Sequence, residues 1–210
     1  MNIFYLDEDV TKAAQYHNDK HCVKMILEYA QLLCTAHRVL DGQRMVITTD
    51  KGRKKTIHQH PNPNLDNILY GAGWLQHPSA IWARASKANY EYLYALFNAL
   101  CTEYTHRYGK IHLTYQKLND ILKHPPQNID FVKQFTQPTP AMPDDVKNAD
   151  SKTAYRDYYN KYKQHLAVWT KRERPEWIKL NEISYDLLIP WFYSNSTKFL
   201  HNLLSVNLRL

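Results

Sequence analysis

The chain has 210 residues, with Lys and Arg exceeding Asp and Glu by 27 to 20 and 11 histidines besides. A chain of this length can bury a core without disulfide staples, and 16 Tyr, 5 Trp and 6 Phe against 5 Gly exclude long disorder. The formal charge of +7 points to nucleic acid or a nucleotide as partner. No window approaches the roughly 18 apolar residues of a membrane span, so no membrane partner is expected.

In chain order, residues 2–6 read as an extended entry, and Asp7 or Asp9 can cap a helix over residues 10–40 that stops at Asp41-Gly42. Residues 45–49 and 53–57 flank Asp50-Lys51-Gly52 as the arms of a hairpin, the second arm basic through Arg53, Lys54 and Lys55. His58 to Pro63 must be irregular, because Pro61 and Pro63 remove amide donors. A short helix follows at 65–70, broken by Gly71-Ala72-Gly73, and His77-Pro78-Ser79 opens a long helix reaching residue 107 before Gly109. Residues 114–123 form a further helix. Pro125, Pro126, Pro138, Pro140 and Pro143 then interrupt regular structure until Asp150-Ser151 caps a helix over 152–171, which must end before Pro175.

The expected architecture is mainly α: a single compact helical domain with a small β-hairpin over residues 1–178, and a C-terminal helical extension, 179–210, packing on the same domain. Cys22, Cys34 and Cys101 form no CxxC pair and read as buried free thiols of a reducing compartment. The first residues, MNIFYLDEDV, carry no basic segment followed by an apolar run, and a cytoplasmic location is expected.

On one helix, His17, His21, Lys24 and Glu28 stand at i, i+4, i+7 and i+11 and share a face within about 60°. The flanks of this stripe are apolar, so a buried network, a cleft wall and a solvated face with a Lys24–Glu28 pair are all open. Paired histidines can hold a metal, but HNDKH lacks the Glu of H-E-x-x-H, and Lys24 one turn on repels a cation. No metal or cofactor is therefore expected, and the stripe reads as a catalytic or anion site, with Glu28 as acid, base or orienter.

Trp82, Ser86 and Asn89 stand at i, i+4 and i+7, suited to stacking and hydrogen-bonding a base or to packing a helix crossing. His77 can cap its helix or point into a cleft. Arg156, Tyr159 and Lys163 mix basic and aromatic groups on one face, and with Arg53 and Lys54 they are candidate contacts to phosphate and base. The P-loop, dinucleotide-binding and G-x-S-x-G fingerprints are absent from the sequence.

The run AAQYHNDKHCVKMILE at 13–28, His77-Pro78 through Trp82 with its Arg107-Tyr108-Gly109-Lys110 stop, and AMP, AYRDYY and RPEW further on resemble a family of tailed-phage proteins over about residues 1–178. More distantly, the first-helix His and the helix from His-Pro to Arg-Tyr-Gly resemble pyrimidine-dimer DNA glycosylases of the phage endonuclease V type. That resemblance implies a helical domain that flips a nucleotide out of duplex DNA and attacks with an N-terminal amine, assisted by a first-helix Glu. His17 matches the family's first-helix His with one inserted residue, and Glu28 falls about a turn beyond the family's Glu. The expected function is a phage-type DNA-directed enzyme for base excision or base modification, in the cytoplasm of the infected host. The alternatives are metal-free phosphodiester chemistry on a nucleotide or cyclic nucleotide, and non-catalytic nucleotide sequestration.

Overall fold

The computed structural model describes residues 1–179. The chain divides into one unit of Met1–Trp177 and a second of Ile178–Leu210. The helical extension expected for 179–210 lies outside the described residues apart from Lys179.

The first unit is mainly α-helical with one two-stranded hairpin. Its elements are α1 (Val10–Tyr16), α2 (Asp19–Leu40), β1 (Gln43–Thr48), β2 (Lys54–Gln59), α3 (Pro63–Ile68), α4 (Pro78–Ala83), α5 (Lys87–Tyr108), α6 (Leu113–Leu122) and α7 (Ser151–Tyr162). The long helices α2 and α5 pack on each other, with α1, α4 and α6 laid against one or both of them. Between them lie Ile26, Leu32, Leu33, Leu93, Phe97 and Leu100, all fully buried. The extended entry, Ile3 to Leu6, is buried as well. All three cysteines are free and buried, and burial pushes the Cys22 and Cys34 thiols up to about 12.

Two expected helices are each split in two. The helix predicted over 10–40 breaks at His17 and Asn18, whose ψ angles of 129° and 166° are extended. Asn18 is the reason: its side chain accepts from His21 N–H and starts α2 afresh, as Asp9 does for α1. The helix predicted from 77 to 107 breaks at Ser86, with φ −155° and ψ 158°, whose hydroxyl caps α5 through Asn89 N–H. At Ser86 the capping residue sits inside a continuing apolar pattern, whereas Asn18 sits in the polar run His17-Asn18-Asp19-Lys20-His21.

The helix expected to reach residue 171 ends at Tyr162. The chain instead turns back to α2: Asp19 N–H donates to Val168 O, and the Asp19 carboxylate accepts from Thr170 N–H and hydroxyl. This turn satisfies one of the amide donors left open at the start of α2. Arg107, whose side chain is fully buried, completes this junction. It pairs with Asp19 at 2.9 Å and Glu103 at 2.7 Å and donates to the carbonyls of His17 and Gln15.

The hairpin pairs Gln43 with Gln59 through to Thr48 with Lys54, and Gly52 (φ 73°) supplies the left-handed residue of its turn. At the other end Gly42 is required by space: a Cβ there would strike the Arg38 carbonyl oxygen and stand 2.9 Å from Gln59 O. Arg38 fastens this foot from inside. It donates to the carbonyls of Tyr70, His58, Asp66 and Leu69, and pairs with the Asp66 carboxylate at 2.6 Å.

Candidate functional site

The break before Asn18 takes His17 out of register with the rest of the stripe. Its ring is fully buried, with Nδ1 donating to Ala13 O at 2.7 Å and Nε2 accepting from Tyr29 hydroxyl at 2.8 Å; that oxygen in turn accepts from Phe4 N–H. Both ring nitrogens are taken, and desolvation lowers its pKa to about 4. His21 remains on α2, stacked on Phe4 at 4.3 Å, and its Nδ1 accepts from Tyr159 hydroxyl at 2.6 Å. Burial, then the positive charges of His17, Lys163 and Lys24, lower His21 to about 3. Lys24 and Glu28 form a surface i, i+4 pair at 3.1 Å, the lysine 69 % exposed and the carboxylate 15 %. Of the five cavities that stand out on the unit, none takes any of these four residues into its lining.

The other constellations are likewise taken up internally. Trp82 is buried and donates from Nε1 to the carbonyl and hydroxyl of Thr136. Ser86 caps α5, and Asn89 bonds both Trp82 O and Thr136, so this trio ties the α4–α5 corner to the loop beneath it. Arg156 donates to Leu6 O, pairs with Asp7 at 3.1 Å and lies against the rings of Tyr16 and Trp177. Tyr159 is fully buried, and Lys163 sits over the Tyr158 ring at 4.9 Å. Thus Tyr159 meets His21, while Arg156 and Lys163 face separate partners.

His77 accepts from Ser79 N–H with Nδ1 and caps α4. Desolvation lowers its pKa; the Met1 α-amine lowers it further and Glu28 raises it, so the ring lies within electrostatic reach of both. The Ser79 hydroxyl also holds the Met1 carbonyl at 3.3 Å.

The hairpin keeps its charges free. Arg44, Lys51, Arg53, Lys54 and Lys55 are exposed, and none of the five enters an ion pair among the described residues. Alternation along the paired strands puts Arg44, Val46, Thr48, Lys54, Thr56 and His58 on one face and Gln43, Met45, Ile47, Lys55, Ile57 and Gln59 on the other. Lys51 and Arg53 stand at the turn.

At the foot of this ribbon a cavity of about 560 Å³ is lined by Asp41, Gly42, Gln43, Gln59, His60, Pro61, Pro63, Asp66 and Asn67. Its wall contains part of a cluster absent from the sequence expectations: His37, Asp41 and His60, whose nitrogen and oxygen atoms lie within 4.8 Å of one another. The i, i+4 spacing of His37 and Asp41 was a readable signal, but His60 arrives only through closure of the hairpin.

Comparisons with protein-family models, with curated proteins and with solved structures find no match to this chain. Among the described residues no helix is long and apolar enough to cross a membrane.

Proposed function

We propose that this protein is directed to nucleic acid and that the hairpin is its contact element. One observation carries the reading: five basic side chains with no ion-pair partner among the described residues stand on a two-stranded ribbon whose strands are almost wholly exposed. Elsewhere on the unit, Arg38, Arg107, Arg156, Lys152 and Lys161 are paired with carboxylates. Exposed lysines without an ion pair among the described residues, such as Lys12, Lys20, Lys110 and Lys123, stand at separate elements rather than together. Six paired residues span roughly 20 Å, and a two-stranded ribbon is narrow enough to enter a major groove. Arg and Lys on such a ribbon bind phosphates without reading sequence. The test is binding of a fluorescent 20-base-pair duplex at several salt concentrations; affinity independent of salt, or no binding at low salt, overturns the reading.

A second reading adds excision chemistry of the glycosylase and lyase kind. It draws support from the seat of the N-terminus: the Ser79 hydroxyl holds the Met1 carbonyl at 3.3 Å in the turn that His77 caps, and Glu28 acts electrostatically on the same His77 ring. An amine can attack the sugar carbon of a damaged or abasic site, and a nearby carboxylate can carry the proton transfers. Borohydride should then trap the full chain covalently on an abasic duplex, with trapping lost in Glu28→Gln. If the wild type fails to trap while still binding the duplex, the excision reading falls and the binding reading stands.

A further inference from the structure

Two imidazoles at the foot of the hairpin each leave one ring nitrogen buried and without a hydrogen-bond partner, His37 Nδ1 and His60 Nε2. The residues are only 4 % and 7 % exposed, and buried polar atoms in folded proteins nearly always find partners. Each imidazole brings a ring nitrogen within 4.8 Å of the Asp41 carboxylate, whose Oδ2 stands 4.0 Å from His60 Nε2. From this we infer that His37, Asp41 and His60 form a binding site for a single divalent transition-metal ion, independent of the nucleic-acid reading above.

The surroundings hold these groups as ligands. Tyr90 donates its one hydroxyl proton to Leu122 O at 3.0 Å, so its oxygen accepts from His37 Nε2–H at 2.9 Å. This fixes the tautomer that leaves Nδ1 with a lone pair toward the cluster, and an outer hydrogen bond of this kind orients metal-bound histidines in general. Asp41 is held from outside by the amides of Gln127 and Asn128 and the side-chain NH₂ of Asn128. His60 must adjust: its Nδ1 accepts from Asn62 N–H at 3.1 Å, so an ion on Nε2 moves the ring proton to Nδ1 and turns that amide aside. The Asn62 side chain meanwhile keeps its own task, capping α3 through Asn64 N–H and Leu65 N–H.

Two imidazoles and one carboxylate suit zinc and its first-row neighbours better than calcium or magnesium. Metal–ligand distances of about 2.0–2.2 Å put neighbouring ligand atoms about 3.4 Å apart, so the widest pair, within 4.8 Å, must close by at most about 1.4 Å. Asp41 and His60 also line the 560 Å³ cavity, which lets an exchangeable water or substrate atom complete the coordination. Since His37 and Asp41 belong to the end of α2 and His60 follows β2, the ion would also fasten the hairpin to the helix.

The test uses the untagged full chain, stripped with chelator and titrated with ZnCl₂ by calorimetry and with CoCl₂ by visible spectroscopy. One ion per chain is expected, with affinity lowered at least about 100-fold in Asp41→Asn and in His60→Gln, since loss of outer-shell partners alone costs 10–100-fold. His106→Ala, at an exposed position off the site, should bind as the wild type does. Circular dichroism in chelator shows whether each variant is folded. X-ray absorption on the zinc-loaded wild type, which needs no variant, should count two imidazoles on the ion. No stoichiometric binding by the wild type, fewer than two imidazoles, or unchanged affinity in folded variants would overturn the site and leave a bridging water to join the three groups.

Discussion

If the hairpin grips nucleic acid, its two faces should not contribute equally, and the salt dependence of binding can tell them apart. Arg44 and Lys54 share one face, Lys51 and Arg53 stand at the turn, and Lys55 points the other way. A duplex seated on the first face meets at most the first four. Each neutralised phosphate contributes about 0.9 to the slope of log affinity against log salt, so four contacts give a slope of about −3.6. Raising salt from 50 to 200 mM then weakens binding about 150-fold. Arg44→Ala with Lys54→Ala should halve the slope, leaving a drop of about 12-fold over the same range. Lys55→Ala should leave the slope unchanged. Fluorescence anisotropy on a 20-base-pair duplex measures these three proteins and Lys54→Ala alone. Equal effects of Lys54→Ala and Lys55→Ala, or an unaltered slope in the double variant, would refute one-faced docking.

Two further outcomes concern stability. Burial holds His17 and His21 neutral, with pKa values of about 4 and about 3 against 6.5. Their contribution is therefore present above pH 6.5 and lost as the pH falls toward 4, where the unfolded chain takes protons that the folded chain refuses; between pH 7.5 and 5.0 each should remove about 2 kcal/mol. Urea midpoints at the two pH values check this, and His17 or His21 imidazole resonances titrating near 6.5 in the folded protein, assigned by their loss in His17→Gln and His21→Gln, would contradict it. Gly42→Ala forces a methyl group against the Arg38 and Gln59 carbonyls, and should destabilise the fold by about 2 kcal/mol. Hydrogen exchange should show the loss concentrated in hairpin amides, and uniform protection equal to wild type would count against the tight seat at Gly42.

The sequence carried the mainly α architecture, the hairpin and the buried thiols, because apolar periodicity and a Gly-containing turn report on elements that need no distant partner. It did not reveal the breaks at Asn18 and Ser86. Apolar residues continue at helical spacing through Ser86, and only the competition of a short polar side chain for the next turn's amides ends the helix there; at Asn18 the polar run 17–21 fits the i, i+4 stripe of a continuous helix and so hides the cap within it. The catalytic stripe depended on that continuity: one extended step at His17 delivers its ring to Ala13 and Tyr29, where it serves the core. The early end of α7 was equally hidden, since the chain beyond it turns to Asp19, more than 140 residues away in sequence. Arg156 and Asn89 looked available for a ligand because sequence records their chemistry but not their partners, Leu6, Asp7 and Thr136.

The distribution of buried polarity instead favours the foot of the hairpin as the functional end of this unit. A two-stranded ribbon is marginally stable by itself in water, and β1 is exposed along its whole length, so the ribbon's conformation must be imposed from its base. Arg38 does this with five hydrogen bonds that tie β2, α3 and the following loop to α2, and Asp41 adds the 127–128 segment. If the proposed contact is made, a mount of this kind fixes the angle at which Arg44 and Lys54 meet the duplex, and so reduces the ordering cost of binding. The same rigidity positions His37, Asp41 and His60 around one point. An ion held there would tighten the mount further, so zinc should slow hydrogen exchange at the paired amides of β1 and β2 without altering the basic face they carry.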